Sequence, residues 1–302
     1  MRYLVRHQTT YRYSDPVQVS INQVCLRPRS SAGQTLLRHA LAISPASRIR
    51  TEWTDFFGNL QVQYHVSDVH REMTILAESE VDVHAREWPD PDATSPWESA
   101  RAGVAKPATD AALDASQYRF DSPMIGASAA LLDYARPSFP AGRPLLAALA
   151  DLTARIKTEF VYDTAATTLT TKVEDVLDRR RGVCQDFAQV QIGCLRSIGL
   201  AARYVSGYLL TRPPPGRPRL VGADASHCWV SVFSPDLGWL DVDPTNGSLV
   251  GDEHVAVAWG RDYHDVTPVK GVILGGGHQD ILVAVDVIPE DEGLPDLRLL
   301  AK

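Results

Sequence analysis

What this chain has little of narrows it first. It contains only four cysteines, Cys25, Cys184, Cys194 and Cys228, and no two of them form a CxxC pair. That sets aside a structural zinc site and a thioredoxin-type dithiol. No stretch approaches the ~20 apolar residues that a membrane-spanning helix needs. Residues 1–7 lack the apolar core of a secretory signal, so no membrane partner is expected and the cytoplasm is the expected location. In that reducing compartment all four thiols are expected to be free. Positive charge is also short. Thirty Lys and Arg stand against 37 Asp and Glu, for a net charge of −7. Nucleic-acid binding needs clustered positive charge, so no nucleic-acid partner is expected. The densest basic run, Arg179-Arg180-Arg181, reads as a helix end, where cations complement the helix dipole. No internal repeat is visible. What remains is 302 residues, 44% hydrophobic and 22% charged, enough for one large globular domain or two ordinary ones.

The hydrophobic pattern changes along the chain. Residues 1–85 read as an N-terminal β domain: short, often alternating segments at 3–13, 21–26, 37–43, 60–66 and 73–83 are separated by turn residues. A small antiparallel sandwich is the natural architecture. Its histidines His7, His39, His65 and His70 share no ligand spacing. Residues 86–125, beginning with Trp88-Pro89-Asp90-Pro91-Asp92, are rich in Pro, Ala, Ser and Asp and read as a linker or loosely packed excursion.

Residues 126–302 read as a second, α+β domain. Leu145, Leu149, Leu152, Ile156 and Phe160 form one apolar stripe of a helix opening at Pro144. A shorter helix is expected from Thr171, where Thr171-Lys172-Val173-Glu174 has the form of a capping box, to a stop at Gly182. A third starts at about Cys184, with Phe187, Val190, Cys194 and Ile198 on its apolar side, and closes at Gly199. The period then switches to two: strands are expected at 202–210, 227–233 and 239–242. The proline-rich loop at 213–218 cannot pair in a sheet interior. Two last strands, 271–274 and 281–287, flank Gly275-Gly276-Gly277. The expected fold is helices packed on an antiparallel sheet, preceded by an all-β domain.

The chemistry centres on Cys184. A helix N-terminus presents unpaired N–H groups and partial positive charge, both of which favour thiolate over thiol. The Cys184 N–H is also placed to face a developing oxyanion. Cys194, mid-helix on the core stripe, reads as a small buried hydrophobe. His227 begins the alternating strand Cys228-Trp229-Val230-Ser231-Val232-Phe233, and from there a general base can reach the helix mouth. Asp243 follows 16 residues later (243 − 227), which suits a hairpin return and acceptance of the second imidazole N–H. Asp241 lies on the same strand face, so spacing does not choose between the two carboxylates. A metal site from Cys184, His227 and Cys228 is disfavoured, because adjacent strand residues point to opposite faces.

The segments Arg180-Arg181-Gly182-Val183-Cys184-Gln185-Asp186-Phe187-Ala188, Ala202-Arg203-Tyr204-Val205-Ser206-Gly207-Tyr208, Ser226-His227-Cys228-Trp229-Val230 and Gly238-Trp239 through Asp243-Pro244-Thr245-Asn246 resemble the bacterial transglutaminase-like superfamily. Tyr11-Arg12-Tyr13 with Asp15-Pro16-Val17, and Asp55 to Asn59, are similar to the β domain that precedes the catalytic domain in these proteins. The resemblance implies a papain-like core with a Cys/His/Asp triad. Carried over by motif, the triad is Cys184, His227 and Asp243, and the aspartate before Pro-Thr selects Asp243 over Asp241. Where the family usually has alanine, this chain has Cys228, a second thiol beside the site. No residue matches the tryptophan that holds the oxyanion in animal transglutaminases; Tyr162 and Gln185 are the candidates for that role.

The expected activity is acyl transfer through a Cys184 thioester on peptide or isopeptide amides of a peptide or protein substrate. Hydrolysis, as a cysteine peptidase or amidase, is favoured over transfer to an amine, as in a protein-glutamine transglutaminase. A non-catalytic peptide-binding protein is the reading from another class. No metal and no cofactor are expected.

Overall fold

The computed structural model describes residues 1–84, 86–212 and 225–292. Its first half is built around one very long strand, β1 (Arg2–Val24), with β2 (Gln34–Ser44), β3 (Ile49–Thr54), β4 (Leu60–Val66) and β5 (His70–Val83) in the order β2-β5-β1-β4-β3. Two strands had been expected at 3–13 and 21–26; they are the two ends of β1. Pairing with β5 runs from Arg2↔Asp82 to Arg12↔Glu72, and pairing with β4 from Ser20↔Val66 to Val24↔Val62. The register is irregular between Arg12 and Val17, across Ser14-Asp15-Pro16, where Pro16 has no N–H to give a ladder. Tyr13, Val17, Val24, Tyr64, Met73 and Ile75 from both sides of this break pack in one core. The N-terminal all-β domain foreseen from the alternating pattern is thus present, its strands joined in one sheet.

Residues 86–125 are more ordered than their composition suggests. They carry α1 (Trp97–Ala105) and α2 (Asp110–Ser116). Trp97, Ala100 and Val104 form the buried stripe of α1, while Ala112 and Ala115 are the buried residues of α2. The Thr109 side chain caps α2 by accepting from the Ala112 N–H.

The second half follows as α3 (Ala129–Ala135), α4 (Leu145–Glu159), β6 (Val161–Tyr162), α5 (Val173–Arg179), β7 (Arg181–Gly182) and α6 (Cys184–Ser197). Then come β8 (Ala202–Leu209), β9 (Ala225–Ser234), β10 (Gly238–Asp243), β11 (Ser248–Leu249) and β12 (His254–Gly260), in the sheet order β11-β10-β9-β8-β12. The proline-rich loop expected at 213–218 lies outside the described residues. Helix α5 departs from expectation at both ends. It begins at Val173 with no side-chain cap, because the Thr171 hydroxyl accepts from the Thr168 N–H instead. It ends at Arg179, with Arg180 taking the left-handed conformation (φ 51°) expected of a C-terminal glycine.

Helix α6 is the centre of this half: every residue from Phe187 to Arg196 is buried. It lies between α3, α5 and one face of the sheet, in a core that also holds Tyr3, Val5, Val81 and Val285 from the β-rich half. The two halves therefore share one hydrophobic interior, in which each fully buried Leu, Val or Phe contributes about 1.5–3 kcal/mol.

The last two strands end elsewhere than expected. β13 (Val269–Gly275) and β14 (Gln279–Pro289) pair with β1, from Val17↔Gly275 to Val24↔Val269 and from Tyr3↔Pro289 to Tyr13↔Gln279. They complete the first sheet and do not extend the second, which corrects an assignment of everything from 126 to 302 to one separate unit. The helices and the second sheet are inserted between strands of the first. Gly275, Gly276 and Gly277 all have positive φ (95°, 92° and 61°) in the connecting turn, which side-chain-bearing residues rarely adopt. Long-range pairings of this kind leave no trace in local periodicity.

Candidate active site

Cys184 opens α6, and the sequence around it explains why. Asp186, in the first turn, accepts from the Val183 N–H (2.8 Å) and from the Thr167 hydroxyl (2.6 Å). Its carboxylate occupies the place that a Cβ on Gly182 would take, so only glycine fits there. Gly182 and Asp186 together fix the turn that presents the cysteine at the helix N-terminus.

The three groups expected to form a triad lie together. His227 Nε2 is 2.7 Å from Asp243 Oδ2, and the imidazole lies within electrostatic reach of the Cys184 sulfur. With Nε2 engaged by the carboxylate, Nδ1 is the nitrogen left for the sulfur. Asp243 is fully buried and ends β10. Its Oδ1 accepts from the backbone N–H groups of Thr245 (2.9 Å) and Asn246 (3.2 Å). Its Oδ2 accepts from the Asn246 side chain (2.6 Å) and from His254 Nε2 (3.2 Å). The hairpin turn after Asp243-Pro244 thus exists to hold this carboxylate.

The electrostatics separate Cys184 from the other thiols. Burial pushes Cys25 and Cys194 up to about 12. Cys184 is held down to about 5. A hydrogen bond from the Cys228 thiol is the strongest influence. Burial opposes it, and the His227 hydrogen bond and charge, with the Gln185 N–H, add to the lowering. Burial pulls His227 down, yet its hydrogen bonds to Asp243 and Cys184 and their charges lift it to about 9. Burial also raises the Asp243 carboxyl, but hydrogen bonds from His227, His254 and Asn246 overcome this and hold it well below the usual carboxylate range. At neutral pH the site is a thiolate–imidazolium pair backed by a carboxylate. Such an arrangement can deliver a sulfur nucleophile and then a proton.

Sequence comparison gives the family. Residues 3–82 match the model of the bacterial transglutaminase-like N-terminal region, and residues 135–244 that of the transglutaminase-like superfamily. An uncharacterized protein of Mycobacterium tuberculosis is 44% identical over 299 residues, covering 95% of this chain and 93% of its own length. The chain belongs to the transglutaminase-like superfamily. An uncharacterized Mycobacterium leprae protein is 31% identical over 290 residues, covering 95% of this chain and 98% of its own. A crystal structure from Cytophaga hutchinsonii, described as "a Putative Cysteine Protease", superposes with a TM-score of 0.74 at 18% identity, over 96% of this chain and 91% of that one. It shares the fold, a papain-like core behind a β domain. A Pseudomonas aeruginosa protein-glutamine gamma-glutamyltransferase is 41% identical over 75 residues, 24% of this chain and 11% of its own.

The remaining residues of this superfamily site fall into two groups. Tyr162 and Gln185 had been singled out from the sequence. Tyr162, in β6, is 55% exposed, stacks edge-on against Phe187 and lies within electrostatic reach of the Cys184 sulfur. Gln185 gives its backbone N–H to that sulfur. The other group was missed. His254 comes from β12, which pairs with β8 and has no sequence link to the His227 or Asp243 motifs. The Tyr204 hydroxyl hydrogen-bonds Cys228, which in turn hydrogen-bonds Cys184.

Cys228 also corrects an expectation. Although adjacent in β9, His227 and Cys228 both touch the Cys184 sulfur. Cys228 belongs to the core beneath α6, and the His227 ring lies with Trp229 and His254 on the other face. His227, Asp243 and His254 place ligand-type atoms within 4.8 Å of one another, a closeness that their hydrogen bonds already account for.

Proposed function

We propose that the protein is a cysteine peptidase or amidase acting on peptide or isopeptide amides through a thioester on Cys184. What carries this reading is the buried His227–Asp243 hydrogen bond beside Cys184, with the thiol held down and the imidazole held up. The Cys184 thiolate attacks the amide carbonyl carbon. The resulting oxyanion is held by the Cys184 N–H, with the Gln185 and Tyr162 side chains as further donors. The C–N bond breaks and the leaving amine takes the proton from His227. Water, deprotonated by His227, then attacks the thioester carbon, the C–S bond breaks, and the acid leaves with the thiolate restored. Asp243 holds the imidazole in orientation throughout.

An amine in place of water makes the same thioester a transglutaminase intermediate. The local likeness to the Pseudomonas gamma-glutamyltransferase favours keeping that second reading. The cytoplasm remains the proposed location. Four cysteines without a disulfide suit a reducing compartment, and among the described residues no helix is long and apolar enough to cross a membrane.

The test uses a peptide mixture incubated with the protein, with and without a biotinylated primary amine, and read by mass spectrometry. New free acids identify hydrolysis and biotinylated glutamine identifies transfer. Cys184→Ala should abolish both, together with labelling by iodoacetamide at low concentration. Undiminished labelling of that variant would overturn an activated Cys184.

A further inference from the structure

The two faces of the second sheet differ. Tyr204, Val230 and Val232 face α6, and Leu240 and Val242 face α4, in the apolar core. Residues of the opposite parity, Arg203, Trp229, Trp239 and Asp241, face away from α6 and line a cavity of about 790 Å³. Its other wall comes from the β-rich half and includes Arg29, Gly33, Gln34 and Phe57.

Four side chains in this cavity are dressed for a ligand. The Arg203 guanidinium is sandwiched between the indoles of Trp239 (3.8 Å) and Trp259 (3.9 Å), so its faces are occupied and its edge is free. It is 7% exposed, yet among the described residues it makes no hydrogen bond and no ion pair, and its Nε is buried without a partner. Trp229 is 2% exposed and its indole N–H is also unpartnered. His254 is 8% exposed; its Nε2 gives a proton to Asp243, which leaves Nδ1 as a lone-pair acceptor, again unpartnered. Asp241 Oδ1 is the fourth such atom. A buried cation, two donors and two acceptors left unpaired in one place are costly unless something else pairs them.

We propose that this cavity binds a small amphipathic carboxylate, whose acid group takes the free edge of Arg203 and the Trp229 N–H while an N–H of the ligand meets His254 Nδ1. A planar guanidinium edge matches a carboxylate in two parallel hydrogen bonds. Phe57, Trp88 and Val205 line the cavity beside these groups and suit an apolar body. The occupant rests against His254, whose other nitrogen holds Asp243. The ligand is therefore one side chain away from the His227–Asp243 pair beside Cys184, and acts as an effector of it. That last consequence rests on the proposed function; the binding does not.

The experiment is isothermal titration calorimetry on the Cys184→Ala protein with N-acetylphenylalanine and indole-3-propionate. Their neutral amides, N-acetylphenylalaninamide and indole-3-propionamide, serve as controls. Saturable binding of the acids is expected, with the amides weaker by about tenfold or more, the value of a charge-assisted hydrogen bond pair. Gly33 lines the cavity and a Cβ placed on it meets no atom within 4 Å, so Gly33→Trp is the variant chosen to fill the cavity from that wall. It should abolish binding at an unchanged melting temperature. Arg203→Met should do the same, and if that variant fails to fold, Gly33→Trp still decides. Absence of binding by both acids, equal binding of acids and amides, or binding undiminished in Gly33→Trp would each overturn the site. The effector role is read separately, on the wild-type protein, as a change in the iodoacetamide labelling rate at saturating acid. An unchanged rate overturns that role alone. If Cys184 proves unreactive altogether, the proposed function falls, and the calorimetry still decides the cavity.

Discussion

The two faces of the β8–β12 sheet use the same strands for opposite ends. Toward helices α4 and α6 the side chains are aliphatic or aromatic and close-packed, with Val230, Val232, Leu240 and Val242 buried completely. On the other face the same strands set a guanidinium, two carboxylates, two histidines and three indoles. Strand alternation makes this division possible: a single strand can spend every second residue on folding and the rest on chemistry. Cys184, by contrast, is not on the sheet at all. It is brought to the seam between the faces by a helix that belongs to the folding side, and it is gripped by His227 from one face and Cys228 from the other.

The comparison can be broken most severely at Asp243. Replacing it with Asn keeps its size but removes the charge that five donors surround, so His227 loses its support. Turnover should fall by about 10³–10⁴, the scale seen when a triad carboxylate is neutralised, as measured by the rate of thioester formation. Next is His254→Phe, which removes one donor to that carboxylate. A loss of about tenfold in the same rate is expected, the value of one hydrogen bond to a charge. Leu240→Ala, on the opposite face, should behave in the reverse sense. It should cost about 2–5 kcal/mol of stability in denaturant titrations while leaving the labelling rate of the folded protein unchanged. If Leu240→Ala slows labelling as strongly as His254→Phe, the two faces are not separate in function.

The pH profile gives the finest test. Cys184 sits at about 5 and His227 at about 9, so labelling should be lost as the thiolate protonates below the first value. Turnover should also be lost as the imidazolium deprotonates above the second, giving a bell. His227 is raised in the folded state, so its contribution to stability is complete below its unfolded value near 6.5 and disappears as pH rises through about 9. Cys228→Ala removes the hydrogen bond that does most to lower Cys184. The acid limb should therefore move to higher pH while the alkaline limb stays in place.

How much of this was readable beforehand follows the range of the interactions. The Gly182–Asp186 turn and the Asp243-Pro244-Thr245-Asn246 hairpin are built from neighbours in sequence, and both were legible as motifs. Helices α1 and α2 were not, because both are short and α2 buries only alanines, which look the same in a loop as in a core. His254 was invisible for another reason. It reaches Asp243 only through the pairing of β12 with β8, and no local spacing encodes that. The return of β13 and β14 to β1 is longer still, with Tyr3 opposite Pro289.

That return has a consequence for how the chain comes to be folded. β1 is made first, but two of its four neighbouring strands are made last. During synthesis at ~5–20 residues per second, β1 waits on the order of tens of seconds for β13 and β14. Throughout that interval part of its backbone is an open edge, able to pair with any other extended chain. The second sheet and its helices must form inside a β domain that is not yet closed, so closure of the first sheet is the step that locks both halves together.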